Sequence, residues 1–288
     1  MAEAGWTVAA QRFTCPRWTL RETRLTADGM VLEAAANAYS PACDVQAQGV
    51  GVGTVAELRT AELGGCLAIL YGDLVPAPLS PMSWFLLSEK EAEIIRLLEE
   101  KEPAAVLTVQ NHRGGLERLI EDWEFRIPSA TITPQAALAL LQSPEMKAHL
   151  RIDAQQEPSY SANIVGRAAP RPSTVVICAH FDTKFDTPGA LDNGSGVAAL
   201  LALSQILDAA DYPFALELVA FSNEEYLPIG DDEYLRRREG QLDDVILCIN
   251  MDSIGQRLAA NSIATFSASN AWEAALKQLT PAYPGLVW

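Results

Sequence analysis

The sequence predicts an α/β protein, a doubly wound mixed sheet with helices on both faces, together with an inserted α/β domain in its first half. Three observations lead there. Between residues 174 and 250, apolar runs of strand length alternate with amphipathic stretches of helical length, the order that builds a sheet covered by helices. The block from about 42 to 150 carries a strand–helix–strand pattern of its own. Finally, the ionisable residues after 174 fall just past the ends of the apolar runs, where open α/β sheets hold their ligands. A chain of 288 residues has room for two domains.

Taken in order, residues 1–40 alternate β-like runs, Trp6 to Phe13 and Met30 to Ala35, with polar turns such as Ala27-Asp28-Gly29; they form the first segment of the main domain. Residues 41–148 form the insert. Within it, Gly64 to Tyr71 is a short apolar strand. Glu89 to Lys101 is a helix with Ile94, Ile95, Leu97 and Leu98 on one side and acids in its first turn. Strands follow at Ala104 to Val109 and Ile127 to Ile132. Thr133-Pro134 is then a good cap and first-turn pair for a helix from Gln135 to Leu141.

Residues 149–288 complete the main domain. Met146 to Ile152 and Asn163 to Gly166 read as paired strands joined by a polar Gln-Gln-Glu-Pro turn. Thr174 to Ala179 is a β-branched run of the kind found in buried parallel strands. A helix from Gly196 to Ala209 turns Val197, Leu200, Leu201, Leu203 and Leu207 inward. A strand at Phe214 to Phe221, a short helix near Asp232 to Arg238 and a strand at Val245 to Asn250 follow.

Composition excludes more than it assigns. A formal charge of −16 argues against nucleic acid and against anionic membrane surfaces as partners. The five cysteines are scattered and never in a CxxC spacing, so neither a disulfide framework nor a structural zinc knot is expected. Cys178 and Cys248 sit in apolar runs and read as buried core residues. The first residues have no basic region followed by an apolar stretch, and no apolar run is long enough for a membrane span. The expectation is a soluble, cytoplasmic protein.

The chemistry lies at the strand ends. His180 and Asp182 follow the first buried strand, Glu224 and Glu225 the second, and Asp252 the third. Asp192 lies in the loop Gly189-Ala-Leu-Asp-Asn-Gly-Ser-Gly before the intervening helix. A His-x-Asp or an adjacent Glu pair is commonplace alone; four such sites in order, each at a strand end, are not. Imidazole with several carboxylates suits zinc or a similar divalent ion without a thiolate. Uncompensated, so many acids would repel one another; two divalent ions would remove that cost, with one carboxylate bridging. Asp182 could accept the other N–H of His180. Of the adjacent glutamates, one could bind metal while the other takes a proton from water.

The runs Val175-Val-Ile-Cys-Ala-His-Phe-Asp-Thr, Gly189-Ala-Leu-Asp-Asn-Gly-Ser-Gly-Val-Ala-Ala-Leu, Phe221-Ser-Asn-Glu-Glu-Tyr and Ile249-Asn-Met-Asp-Ser-Ile-Gly resemble metallopeptidase family 28. The resemblance covers residues 175 to 255. The related family 20 deacylases share the residue types, but the short gap from His180 to Asp192 and the Asp-Asn-Gly-Ser-Gly loop favour family 28. Gly64-Gly-Cys-Leu-Ala-Ile-Leu-Tyr and Arg126-Ile-Pro-Ser-Ala-Thr-Ile-Thr resemble the protease-associated domain that such enzymes carry as an insert.

The resemblance implies a zinc peptidase-like fold and a two-zinc exopeptidase, an aminopeptidase in the first instance, acting on peptides. It implies that His180 and Asp252 bind one zinc, Asp192 bridges, Glu225 binds the other, Glu224 is the general base and Asp182 supports His180. The family pattern also requires a further His downstream of Asp252. This chain has three histidines, and His112 and His149 both precede the motifs and read as surface residues. The second zinc site is therefore expected to be incomplete. The chain reads as a framework clipped at both ends, and the other outcome is a catalytically impaired fragment or a non-catalytic relative that acts in binding.

Overall fold

The computed structural model describes residues 1–79, 88–112, 114–142, 147–207, 212–226, 228–283 and 286–287. The main strands are β1 (Thr7–Ala27), β2 (Met30–Leu32), β3 (Ala34–Ala36), β4 (Cys43–Val52), β5 (Leu67–Leu70), β6 (Ala105–Val109), β7 (Ser129–Ile132), β8 (Lys147–Arg167), β9 (Thr174–His180), β10 (Ala215–Phe221) and β11 (Val245–Asn250). The helices are α1 (Val55–Thr60), α2 (Glu89–Lys101), α3 (Pro134–Leu141), α4 (Gly194–Ile206), α5 (Ile229–Arg237) and α6 (Asn270–Leu279). They fall into two compact units. One comprises residues 1–13, 162–225 and 229–288, the other residues 14–161 and 226–228. The second unit thus takes in residues 14–40 and 149–161 as well as the 41–148 block.

In the first unit the sheet order is β11-β9-β10-β8. β9 runs parallel to both β10 and β11, and the last residues of β8 pair antiparallel with β10. The chain passes from β9 through α4 to β10, then through α5 back across β9 to β11. That reversal is the switch point at which open sheets form a crevice. Val175, Ile177 and Ala179 of β9 pack with Leu200 of α4 on one face, and Val176 and Cys178 pack with Tyr234 of α5 on the other. Apolar demand on both faces explains why β9 reads as an unbroken apolar run, and all seven of its residues are buried. The mixed, doubly covered sheet expected from the sequence is present.

The second unit has β4, β5, β6 and β7 in parallel from β4 onward, closed by antiparallel β3, while the first part of β8 pairs antiparallel with β4. Its core gathers Leu58, Leu70, Ile94, Leu98, Val106 and Phe125. The expected cap is made, Thr133 Oγ1 accepting from Ala136 N, and α2 has one as well, Ser88 Oγ accepting from Glu91 N. Among the described residues, no helix is long and apolar enough to cross a membrane.

Four local expectations need correction. Residues 147–152 and 163–166 are not two paired strands but parts of one strand, β8. The Gln155-Gln-Glu-Pro stretch contains no glycine or asparagine to turn the chain, and it stays extended with none of its four residues buried. Met146 lies outside the described residues. For the same kind of reason β1 continues to Ala27 rather than ending at Phe13. In α4, Leu201 is exposed, because the inward stripe runs through Gly196, Leu200 and Ser204 with Val197, Leu203 and Leu207 beside it; Ala209 lies outside the described residues. Cys248 is exposed, unlike the buried Cys178, because β11 ends the order of described strands and has only β9 beside it.

One buried acid was not anticipated. Glu217 of β10 is 3% exposed, accepts from Arg167 Nε at 2.6 Å and from the Tyr234 hydroxyl at 2.5 Å, and lies 3.8 Å from Arg238. Removing a hydrogen-bonded buried charge strands its partners. Glu217→Ala is expected to cost about 2 kcal/mol, seen as a lower urea midpoint at unchanged slope. A midpoint equal to the parent's would show that this group contributes nothing net.

Candidate metal centre

Every ionisable residue singled out after residue 174 lies in the first unit, at the carboxyl ends of its parallel strands. His180 is the last residue of β9, with its side chain 2% exposed. Its Nε2 faces three carboxylates: Asp192 Oδ1 at 3.0 Å, Asp252 Oδ1 at 3.4 Å and Glu224 Oε2 at 3.8 Å. None of them is aligned as a hydrogen-bond acceptor, so Nε2 is a buried polar atom without a hydrogen-bond partner. The ligand atoms form two groups, His180–Glu224–Asp252 and His180–Asp192–Glu225, each with its members within 4.8 Å of one another.

This geometry fits a cation. An orphaned imidazole nitrogen costs free energy unless something satisfies it, and convergent carboxylates repel unless something neutralises them. Imidazole and oxygen donors with no thiolate are a zinc-compatible set. The two groups share His180, and Glu224, the expected base, stands within reach of one of them. His112 and His149 lie in the other unit, each 3.2 Å or less from an acid, Glu117 and Asp44 respectively. Among the described residues the site therefore has a single imidazole.

The electrostatics follow from crowding. Burial opposes the charge on His180, yet the carboxylates of Asp182 and Asp252, with Glu224, outweigh it and hold the imidazole up at about 11. Burial, reinforced by Asp252, Asp182 and Asp231, pushes Glu224 up to about 7 against the pull of His180. Burial and Asp192 push Glu225 up to about 7, against Lys184 and His180.

Asp182 is placed differently from the expectation that its carboxylate takes the other N–H of His180. The Nδ1 of His180 lies 3.2 Å from the Asp182 main-chain carbonyl and 3.8 Å from its carboxylate. The carboxylate Oδ2 instead accepts from the backbone N–H groups of both Glu224 and Glu225, at 2.9 and 3.1 Å. Burial works against its charge, but His180 and those two N–H groups win and lower its pKa. Asp182 thus ties the exit of β9 to the exit of β10. Asn223, just before the pair, has φ 61°, a left-handed turn that asparagine tolerates and that re-aims the chain into Glu224.

Two asparagines went unnoticed in the sequence. Asn193, 1% exposed, caps α4 by accepting from Gly196 N at 2.9 Å. It also donates to the Met251 carbonyl at 2.9 Å and accepts from Ser253 N at 3.3 Å. One side chain thereby joins the loop that carries Asp192 to the loop that carries Asp252. Asn163 donates to the Gly230 carbonyl and accepts from Ser222 N, fixing the turn that follows β10. The cap was readable from an Asn three residues before a helical position; the cross-loop bonds were not.

Residues 162–284 match the model of peptidase family M28. An aminopeptidase of Pseudomonas aeruginosa is 30% identical over 157 residues, covering 52% of this chain and 29% of that protein. Aminopeptidase YwaD of Bacillus subtilis is 30% identical over 134 residues, covering 45% of this chain and 29% of that protein. The chain thus spans less than a third of either relative. Among solved structures, BSAP, a zinc aminopeptidase from Bacillus subtilis, superposes over 99% of this chain and 69% of its own at a TM-score of 0.77 and 22% identity. The aminopeptidase from Aneurinibacillus sp. strain AM-1 gives 0.77 at 24% identity, over 99% and 70%. These likenesses establish the fold. Together with the family match, they make residues 162–284 similar to peptidase family M28.

Proposed function

We propose that this chain carries the framework of a zinc-dependent exopeptidase, an aminopeptidase that hydrolyses N-terminal peptide bonds. The observation that carries the reading is the orphaned His180 Nε2 ringed by Asp192, Asp252 and Glu224 at the strand ends. The relatives named aminopeptidases, and the neighbour named a zinc aminopeptidase, support it.

His180, Asp192, Glu225 and Asp252 would hold the metal. Bound zinc supplies a Lewis acid that polarises the peptide carbonyl and acidifies water. Glu224, the more accessible of the two glutamates, takes the proton of the attacking water on its carboxylate and hands it to the departing amine. Asp182 holds the backbone of both glutamates in place, and Asn193 keeps the Asp192 and Asp252 loops in register. The carboxylates also offer a place for the substrate's free amine. Residues 41–148, within the second unit, are read as a protease-associated-like domain.

A second reading has a specific observation behind it: both ligand groups draw on the one imidazole of His180. A chain so built would hold fewer than two zinc ions and serve in binding. Metal analysis after zinc loading and gel filtration is expected to give less than two equivalents; two tightly held ions would refute the shared-imidazole argument. Turnover of aminoacyl-4-nitroanilides that stops on chelation and returns with zinc supports the peptidase. A folded chain that retains zinc but leaves those substrates uncleaved supports the binding protein.

A further inference from the structure

Two thiols outside the proposed chemistry stand in contact. Cys178 lies on β9 and Cys248 on the adjacent parallel strand β11. Cys178 is opposite Asn250 and Cys248 opposite Val176, so with a two-residue side-chain period both thiols leave the same face of the sheet. Their sulfurs are 3.9 Å apart. A disulfide needs about 2.05 Å, so the sulfurs must close by about 1.9 Å. The register sets the two cysteines diagonally, two residues out of step, so closure takes a shift of β11, which has only β9 beside it among the described strands, together with rotation of the exposed Cys248 side chain. Cys178 is 4% exposed, so a reagent from solution meets Cys248 first. The other three cysteines, Cys15, Cys43 and Cys66, lie in the other unit and have only intermediate exposure.

We propose that Cys178 and Cys248 form an oxidisable dithiol, a site of reversible modification by small-molecule disulfides of the glutathione type. The Cys248 thiolate attacks one sulfur of the oxidised reagent and expels one reduced thiol, leaving a mixed disulfide. The Cys178 thiolate then attacks the Cys248 sulfur and expels the second thiol. Two protein thiols are oxidised, one small disulfide is reduced to two thiols, and no other oxidant is needed. The resulting bond staples β9 to β11 just before His180 and Asp252, so the strands that deliver these two residues become covalently joined. The inference does not depend on the peptidase reading, since it concerns thiols that touch neither substrate nor metal.

The test is equilibration of the full chain in glutathione buffers of increasing oxidised-to-reduced ratio, then acid quenching, thiol counting in denaturant and peptide mapping. The expected result is loss of two of the five thiols, a cross-linked peptide pair containing Cys178 and Cys248, and full reversal by dithiothreitol. Cys248→Ser should abolish the loss, while Cys178→Ser should trap one glutathione on Cys248. Five thiols surviving in the most oxidising buffer would overturn the proposal. So would a parent chain that stops as a glutathione adduct, or a link that joins any other pair.

Discussion

Glu224→Gln is expected to lower turnover of an aminoacyl-4-nitroanilide by the zinc-loaded chain about 10²–10⁴-fold. Zinc content and unfolding midpoint should stay at the parent's values. Gln keeps the size of the side chain and its ability to accept hydrogen bonds, but it cannot take up a proton. Glu224 is assigned the proton because its partner is otherwise engaged: Glu225 is 4% exposed and accepts from Lys184 N at 3.2 Å. Burial and the neighbouring acids also bring Glu224 to about 7, the range in which a general base works well at neutral pH. Zinc retained with turnover unchanged would remove Glu224 from the reaction. Zinc lost along with turnover would make it a ligand, as its place beside His180 and Asp252 allows.

Gly196→Ala is expected to destabilise the chain by about 3–4 kcal/mol and to weaken zinc binding at least 10-fold in whatever remains folded. A Cβ at this position would fall well inside van der Waals contact with Asn193 Oδ1 and the Met251 carbonyl. Neither is the loose end of a flexible side chain. One belongs to the cap of α4, and the other is the backbone immediately before Asp252. To admit a methyl group, the Asn193 bridge must open, breaking bonds to Gly196, Met251 and Ser253. The loops of Asp192 and Asp252 then separate. Urea unfolding and zinc titration read the two effects independently; parent-like values in both would mean that the bridge yields at no cost.

The sheet and the gathering of His180 with the carboxylates at the strand ends were legible because both follow from local rules. Strands buried on two faces must be largely apolar, which marks β9 outright and β10 apart from Glu217. Charged residues that interrupt the pattern at the ends of such strands have one place to go. The strand boundaries at residues 13 and 152 were less legible, since polar but turn-free stretches such as 155–158 extend or bend according to their partners. The Asn193 bridge was invisible for a related reason. An asparagine beside an aspartate in a glycine-rich loop looks like turn chemistry, and only the third dimension shows Met251 within its reach. The acid at Glu217 was hidden because its arginine and tyrosine partners come from other elements, Arg167 at the end of β8 and Tyr234 in α5.

Because β9 lies between β10 and β11, the acids arrive at His180 from opposite flanks, on segments far apart in the chain. A metal held there can form its full set of bonds only when both flanks have docked. Its capture therefore comes late in folding, and its binding energy is added to the assembled sheet and not to any single hairpin or helix.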